Sequence, residues 1–167
     1  MDHRIALAIF EQIRERPYRV STSPNIPANN CFFKGLELLQ RLGSLGYAVR
    51  GRICETFWEG SIFPSEIVVL YPKDLECTHF FIEVEIEGTW RLVDASFPSA
   101  MRKVGAFVGE FRGTPRPCFP VRKLYTHEES IQVQTRWQDE TYALSYFDRC
   151  QPFLISLNRW LESLDEC

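Results

Sequence analysis

Thr78 to Pro98 reads "THFFIEVEIEGTWRLVDASFP". Two runs rich in β-branched and aromatic residues flank Glu87-Gly88, which predicts an antiparallel β-hairpin turning at that dipeptide. A two-residue turn there opposes Trp90 to Glu85, Leu92 to Glu83 and Asp94 to Phe81. His79 lies two positions from Phe81 and so shares a face with Asp94. Diagonal neighbours of this kind sit roughly 7–8 Å apart at the backbone, a span that an imidazole and a carboxylate can close to a hydrogen bond. A three-residue turn would shift the register by one and place the pair on opposite faces.

A histidine held by a carboxylate has one ring nitrogen fixed as a donor and the other presented as a base. Such a base calls for a nucleophile. In "CFFKGLELLQRLGSLGY", beginning at Cys31, the residues Cys31, Gly35, Leu38, Leu39 and Leu42 fall on one helical face, and Phe32, Leu36 and Leu45 broaden it. Asn29 or Asn30 is positioned to cap this helix and Gly46 to end it. Cys31 therefore opens a buried helix, where unpaired N–H groups stabilise a thiolate and can receive an oxyanion. The order Cys31, His79, Asp94 reads as nucleophile, base and orienter of an acyl-transfer triad. Tyr18, Asn25 and Asn29 are upstream candidates for a further oxyanion donor.

Each residue also has a plainer reading. Cys31 alone is a packing cysteine, Asp94 alone a strand-end residue, and His79 alone a satisfied polar group. The six cysteines (Cys31, Cys54, Cys77, Cys118, Cys150, Cys167) contain no CxxC clip. Cys77-Thr78-His79, with Cys31 or Cys54, is the one arrangement resembling a ligand set, and the reading favoured is no metal and no cofactor. His3 falls on a polar helix face and His127 in a surface turn.

The chain has 167 residues, 45% of them hydrophobic and 14% aromatic, with a net charge of -3. These values fit one globular domain and give no basic face for nucleic acid. The start, "MDHRIALAIFEQIRERPYRV", reads as an amphipathic helix with no apolar stretch of signal-peptide or membrane-span length. The expectation is a soluble, cytoplasmic protein with neither membrane nor nucleic-acid partners; the sequence does not set its oligomeric state.

After the Cys31 helix, "YAVRGRICETFW" and "EIVVLYP" read as strands preceding the hairpin. Residues 99–122, rich in Gly, Pro and Arg, read as mostly loop. "SIQVQTRW" reads as a further strand, and "FLISLNRWLESL" as a helix packed on the body. Helices followed by strands without regular alternation favour an α+β layer with an antiparallel sheet.

The segments "NNCFFKGLELLQRLGSLGYAVRGRI" and "THFFIEVEIEGTWRLVDASFP" resemble the core of the transglutaminase-like superfamily: a cysteine-headed helix, a histidine strand and an aspartate strand ending in "LVDASFP". The resemblance covers residues 29–98 and carries Cys31, His79 and Asp94 onto that family's triad. It departs at Asn29, where the family often has glycine, and at Phe81, where it often has tryptophan. It implies a papain-like core, a helix packed on an antiparallel sheet, in a single domain over residues 1–167 with a C-terminal extension from residue 99. It also implies a thioester intermediate formed from the amide of a peptide or protein substrate; water attacking it gives hydrolysis and an amine gives transfer, and a short domain with no calcium-loop pattern favours hydrolysis. Two alternatives stand beside it. One is a noncatalytic binding module on the same fold. The other is an arylamine N-acetyltransferase-like enzyme, whose Arg-Gly-Gly before the cysteine is replaced here by Pro27-Ala28-Asn29-Asn30.

Overall fold

Alternation along the hairpin sends Phe80, Ile82, Val84, Val93 and Ala95 into one core, and the rest of the fold is arranged to cover them. A computed structural model describes residues 3–24, 26–60 and 62–165. Strands β1 (Val49–Thr56), β2 (Cys77–Ile86), β3 (Thr89–Val93) and β4 (Lys123–Leu124) form one antiparallel sheet in the order β3-β2-β1-β4. Helices α1 (His3–Arg14) and α2 (Cys31–Ser44) pack on this core through Phe10, Ile13, Leu38 and Leu42. The architecture is mixed α and β with an antiparallel sheet.

The hairpin has the register expected of it. Glu85 opposes Trp90 and Glu83 opposes Leu92, and the turn residues Glu87 and Gly88 have φ of 53° and 74°. Both positive values are what a two-residue turn needs to match strand twist. Asn30 caps α2 by accepting from the Phe33 N–H at 3.0 Å, and Gly46 follows the helix with φ of 87°.

Two expected strands are helices. "EIVVLYP" contains the one-turn helix α3 (Ser65–Val68), because the Pro64 carbonyl accepts from the Ile67 and Val68 N–H groups. One turn suffices to bury Ile67, while Val69 and Leu70 remain exposed. "SIQVQTRW" lies within α4 (His127–Gln138). The Thr126 hydroxyl accepts from the Glu129 N–H and the Glu129 carboxylate accepts from the Thr126 N–H, a capping box that overrides the apparent two-residue period. The last helix, α5 (Glu140–Asp165), begins well before the expected tail and contains Pro152. Residues 99–122 are irregular apart from a 3-10 helix at Ser99–Val104. With α3 and α5 they build a second core around Phe63, Phe97, Phe119, Phe153 and Leu157. Among the described residues no helix is long and apolar enough to cross a membrane.

Gly35 sets the distance from α2 to the sheet. A Cβ at Gly35 would lie 2.5 Å from Phe80 Cδ1, and one at Gly51 on β1 would lie 2.9 Å from the same ring. Phe80 is thus held between two glycines and is buried. Replacing Gly35 with alanine gains about 1 kcal/mol of helix propensity but overpacks a site that cannot yield, which costs about 1–3 kcal/mol. Gly35→Ala is therefore expected to be net destabilising, by up to about 2 kcal/mol in urea unfolding; a stabilised variant would mean that α2 is free to lift off the sheet.

Candidate active site

Asp94 follows β3 directly and is 1% exposed. A buried carboxylate has to find donors, and this one has four. Its Oδ2 accepts from His79 Nε2 at 2.7 Å and from the Cys118 N–H at 2.7 Å. Its Oδ1 accepts from the Ser96 N–H at 3.0 Å and the Ser96 hydroxyl at 2.6 Å. Burial works to raise its pKa, but the His79 charge and hydrogen bond, with the Cys118 and Ser96 donors, outweigh it and hold the carboxyl below its usual range. The backbone comes in equally close: a Cβ at Gly109 would lie 2.0 Å from the Asp94 carbonyl oxygen, so only glycine fits there.

His79, near the start of β2, is also 1% exposed. Its ring lies 4.5 Å from that of Phe119 and 6.2 Å, stacked, from that of Phe81. An ionised carboxylate only accepts, so Nε2 carries the proton and the ring orientation is fixed. Nδ1 is buried and, among the described residues, has no hydrogen-bond partner of good geometry, the Cys31 thiol being the polar group close to the ring. Burial favours the neutral ring, yet the Asp94 charge and hydrogen bond, followed by the Cys31 thiol close to the ring, raise the imidazole pKa well above its ordinary value.

Cys31 is the first residue of α2 and is partly exposed. It lines a cavity of about 220 Å3 together with His79 and Tyr18. The sheet residues that meet the body of α2 have the opposite parity, Phe80 and Ile82. Cys31 and His79 share the cavity because each stands at the start of its element. Asn30 occupies the Phe33 and Lys34 N–H groups, through its side chain and its carbonyl. The Cys31 and Phe32 N–H groups have no partner among the described residues and remain free to donate. Tyr18 is buried against Cys31; burial, followed by the neighbouring thiol, raises its pKa and keeps its hydroxyl a donor.

Of the other residues considered, Asn29 lies outside this cavity on the Pro27–Asn29 side of α2, and Asn25 and Cys167 lie outside the described residues. His3 bonds Tyr47 at 3.0 Å, and His127 opens α4. Among the described residues no group of three or more His, Cys, Asp or Glu side chains could hold a metal ion, and Cys77 faces no ligand set with His79.

Three contributors escaped the sequence reading. Ser96 and Cys118 bond Asp94, and Lys34 is buried one turn beyond Cys31. Lys34 Nζ donates to the carbonyls of Arg14 (3.0 Å), Arg16 (2.6 Å) and Ser96 (3.0 Å), tying α2 to the segment that follows Asp94. Burial, with the Arg16 charge, lowers its pKa to about 7, while three carbonyl acceptors favour the ammonium with its three protons. Its position is legible: it precedes Gly35 and lies four residues before Leu38, on the apolar stripe, where a lysine must be partnered.

Because the His79 pKa is raised on folding, the pair's contribution to stability is complete below 6.5 and is lost as pH rises toward about 10. The melting-temperature gap between the unaltered protein and His79→Gln should therefore narrow steadily between those limits, Asp94 being ionised throughout. A gap independent of pH would mean that the imidazole carries no charge in the fold.

No protein-family model, curated protein or solved structure matches this chain, so what the site does has to be argued from its own geometry.

Proposed function

We propose that this chain is a cysteine-dependent acyl-transfer enzyme of the transglutaminase-like, papain-like kind, hydrolysing an amide or peptide bond through a thioester. The observation that carries this reading is the His79 ring: one nitrogen locked to Asp94, the other buried with no partner of good geometry among the described residues, in the cavity that Cys31 also lines. A structural histidine has its polar atoms satisfied, whereas a base is left with one nitrogen for its substrate or nucleophile.

In this scheme the proton shared by Cys31 and His79 sits on Nδ1, so the attacking group is a thiolate at the start of α2 beside an imidazolium that Asp94 stabilises. The sulfur attacks the amide carbon, a C–S bond forms, and the carbonyl pair moves onto oxygen, which the Cys31 and Phe32 N–H groups and the Tyr18 hydroxyl receive. As the C–N bond breaks, the departing amine takes the proton from Nδ1. Water then adds to the thioester carbon, giving its proton to Nδ1, and the C–S bond breaks to release the acid and restore the thiolate beside the imidazolium.

The geometry separates Cys31 from the other described thiols. Burial raises the pKa of Cys54 to about 12 and of Cys150 to about 11, and pushes Cys77 and Cys118 well above their ordinary values. Peptide mapping after brief iodoacetamide treatment near neutral pH should find Cys31 alkylated and these four protected. His79→Ala should slow Cys31 alkylation at least roughly tenfold with the fold retained, and Asp94→Asn should lower turnover of a peptide or amide substrate by roughly 100- to 10,000-fold. Alkylation of Cys31 at an equal rate in His79→Ala would leave the histidine structural and the chain a binding module.

A further inference from the structure

The resemblance to the transglutaminase-like core ends at residue 98, yet one wall of the cavity beside Cys31 comes from the C-terminal helices. Trp137 of α4 and Ala143, Tyr146 and Phe147 of α5 line it, together with Trp58 and Phe119. The rings are set edge to face: Trp137 and Tyr146 have centroids 4.6 Å apart at 80°, and Trp58 and Phe119 lie 5.7 Å apart at 86°. Among the described lining residues there is no aspartate, glutamate, lysine or arginine, and the only ionic groups are the Cys31 and His79 pair itself. Charge is at hand elsewhere: a neighbouring cavity of about 590 Å3, sharing Thr56, Trp58 and Cys77, is lined by Glu55, Glu76, Lys73 and Arg122. The lack of further charge is thus a property of the Cys31 cavity and not of this side of the molecule.

We propose that this cavity is the acyl-group pocket of the site and that it takes a neutral, ring-bearing acyl donor, with α4 and α5 supplying the selectivity. The inference rests on the reading of Cys31 as nucleophile. A cavity of about 150 Å3 with apolar walls accommodates benzene, so about 220 Å3 holds one aromatic ring beside a reacting carbonyl. Aromatic walls favour such a ring by area and by edge-to-face contact. A carboxylate entering would lose its water, and the one cation among the described lining residues, the His79 imidazolium, is already paired with Asp94. The Ser21 hydroxyl, buried on the same lining with no partner among the described residues, offers the bound donor one hydrogen bond.

The test uses three iodoacetamides with a common warhead, N-methyl, N-phenyl and N-(4-carboxyphenyl), each rate at Cys31 divided by the rate with N-acetylcysteine. The normalised N-phenyl rate should exceed the N-methyl rate at least tenfold, and the carboxylate should remove most of that gain. Equal N-methyl and N-phenyl rates, or a carboxyphenyl rate matching the phenyl one, would overturn the pocket assignment while leaving the nucleophile in place. A Cys31 inert to all three would overturn the nucleophile and the pocket together. Phe147→Lys, shown to be folded by thermal melting, should raise the carboxyphenyl-to-phenyl ratio at least threefold; an unchanged ratio would mean that α5 does not face the ring.

Discussion

The buried carboxylate of Asp94 is the constraint around which the site is built. An ionised group at 1% exposure is tolerable only if every acceptor position is used, and the donors come from three places: His79 on β2, Ser96 just beyond Asp94 itself, and Cys118 in the irregular segment. Satisfying Asp94 therefore orients the histidine, fixes the exit from the hairpin and brings residues 106–119 down over it. The Gly109 approach to the Asp94 carbonyl and the Phe119 ring against His79 follow from the same closure. One electrostatic requirement thus shapes a stretch with almost no regular secondary structure.

A second tie joins this arrangement to the cysteine. Lys34 reaches from α2 to the Ser96 carbonyl, and Ser96 in turn donates twice to Asp94. A continuous run of hydrogen bonds therefore links the Cys31 helix to the imidazole without passing through the cavity. The Phe80 ring, held between Gly35 and Gly51, fixes the same helix against the sheet by packing. Polar and apolar devices agree on one placement of Cys31, which is the preorganisation that the proposed nucleophile would need.

The hairpin, its register, the Cys31 helix and its Asn30 cap were legible because each depends on neighbours in sequence: a turn dipeptide, strict alternation, a helical stripe. His79 and Asp94 could be paired for the same reason. The helices α3 and α4 were misread as strands, since short runs such as Val133-Gln-Thr-Arg-Trp137 show period two while their caps, at Pro64 and at Thr126 with Glu129, decide the outcome. The Cys118 donor and the aromatic wall at Trp137 and Phe147 depend on long-range closure, which no local pattern encodes. Lys34 stands between these cases: its place on an apolar stripe was visible, its three acceptors were not.

The central claim is that His79 is a positioned base with Nε2 committed to Asp94 and Nδ1 turned toward the thiol. Nitrogen-15 NMR of the His79 ring, followed from mildly acid to alkaline pH, tests it most directly. The account predicts that Nε2 stays protonated throughout while Nδ1 is the nitrogen that loses its proton, at a pH above the 6.5 of an ordinary imidazole. Deprotonation at Nε2, or a titration indistinguishable from that of free histidine, would contradict it.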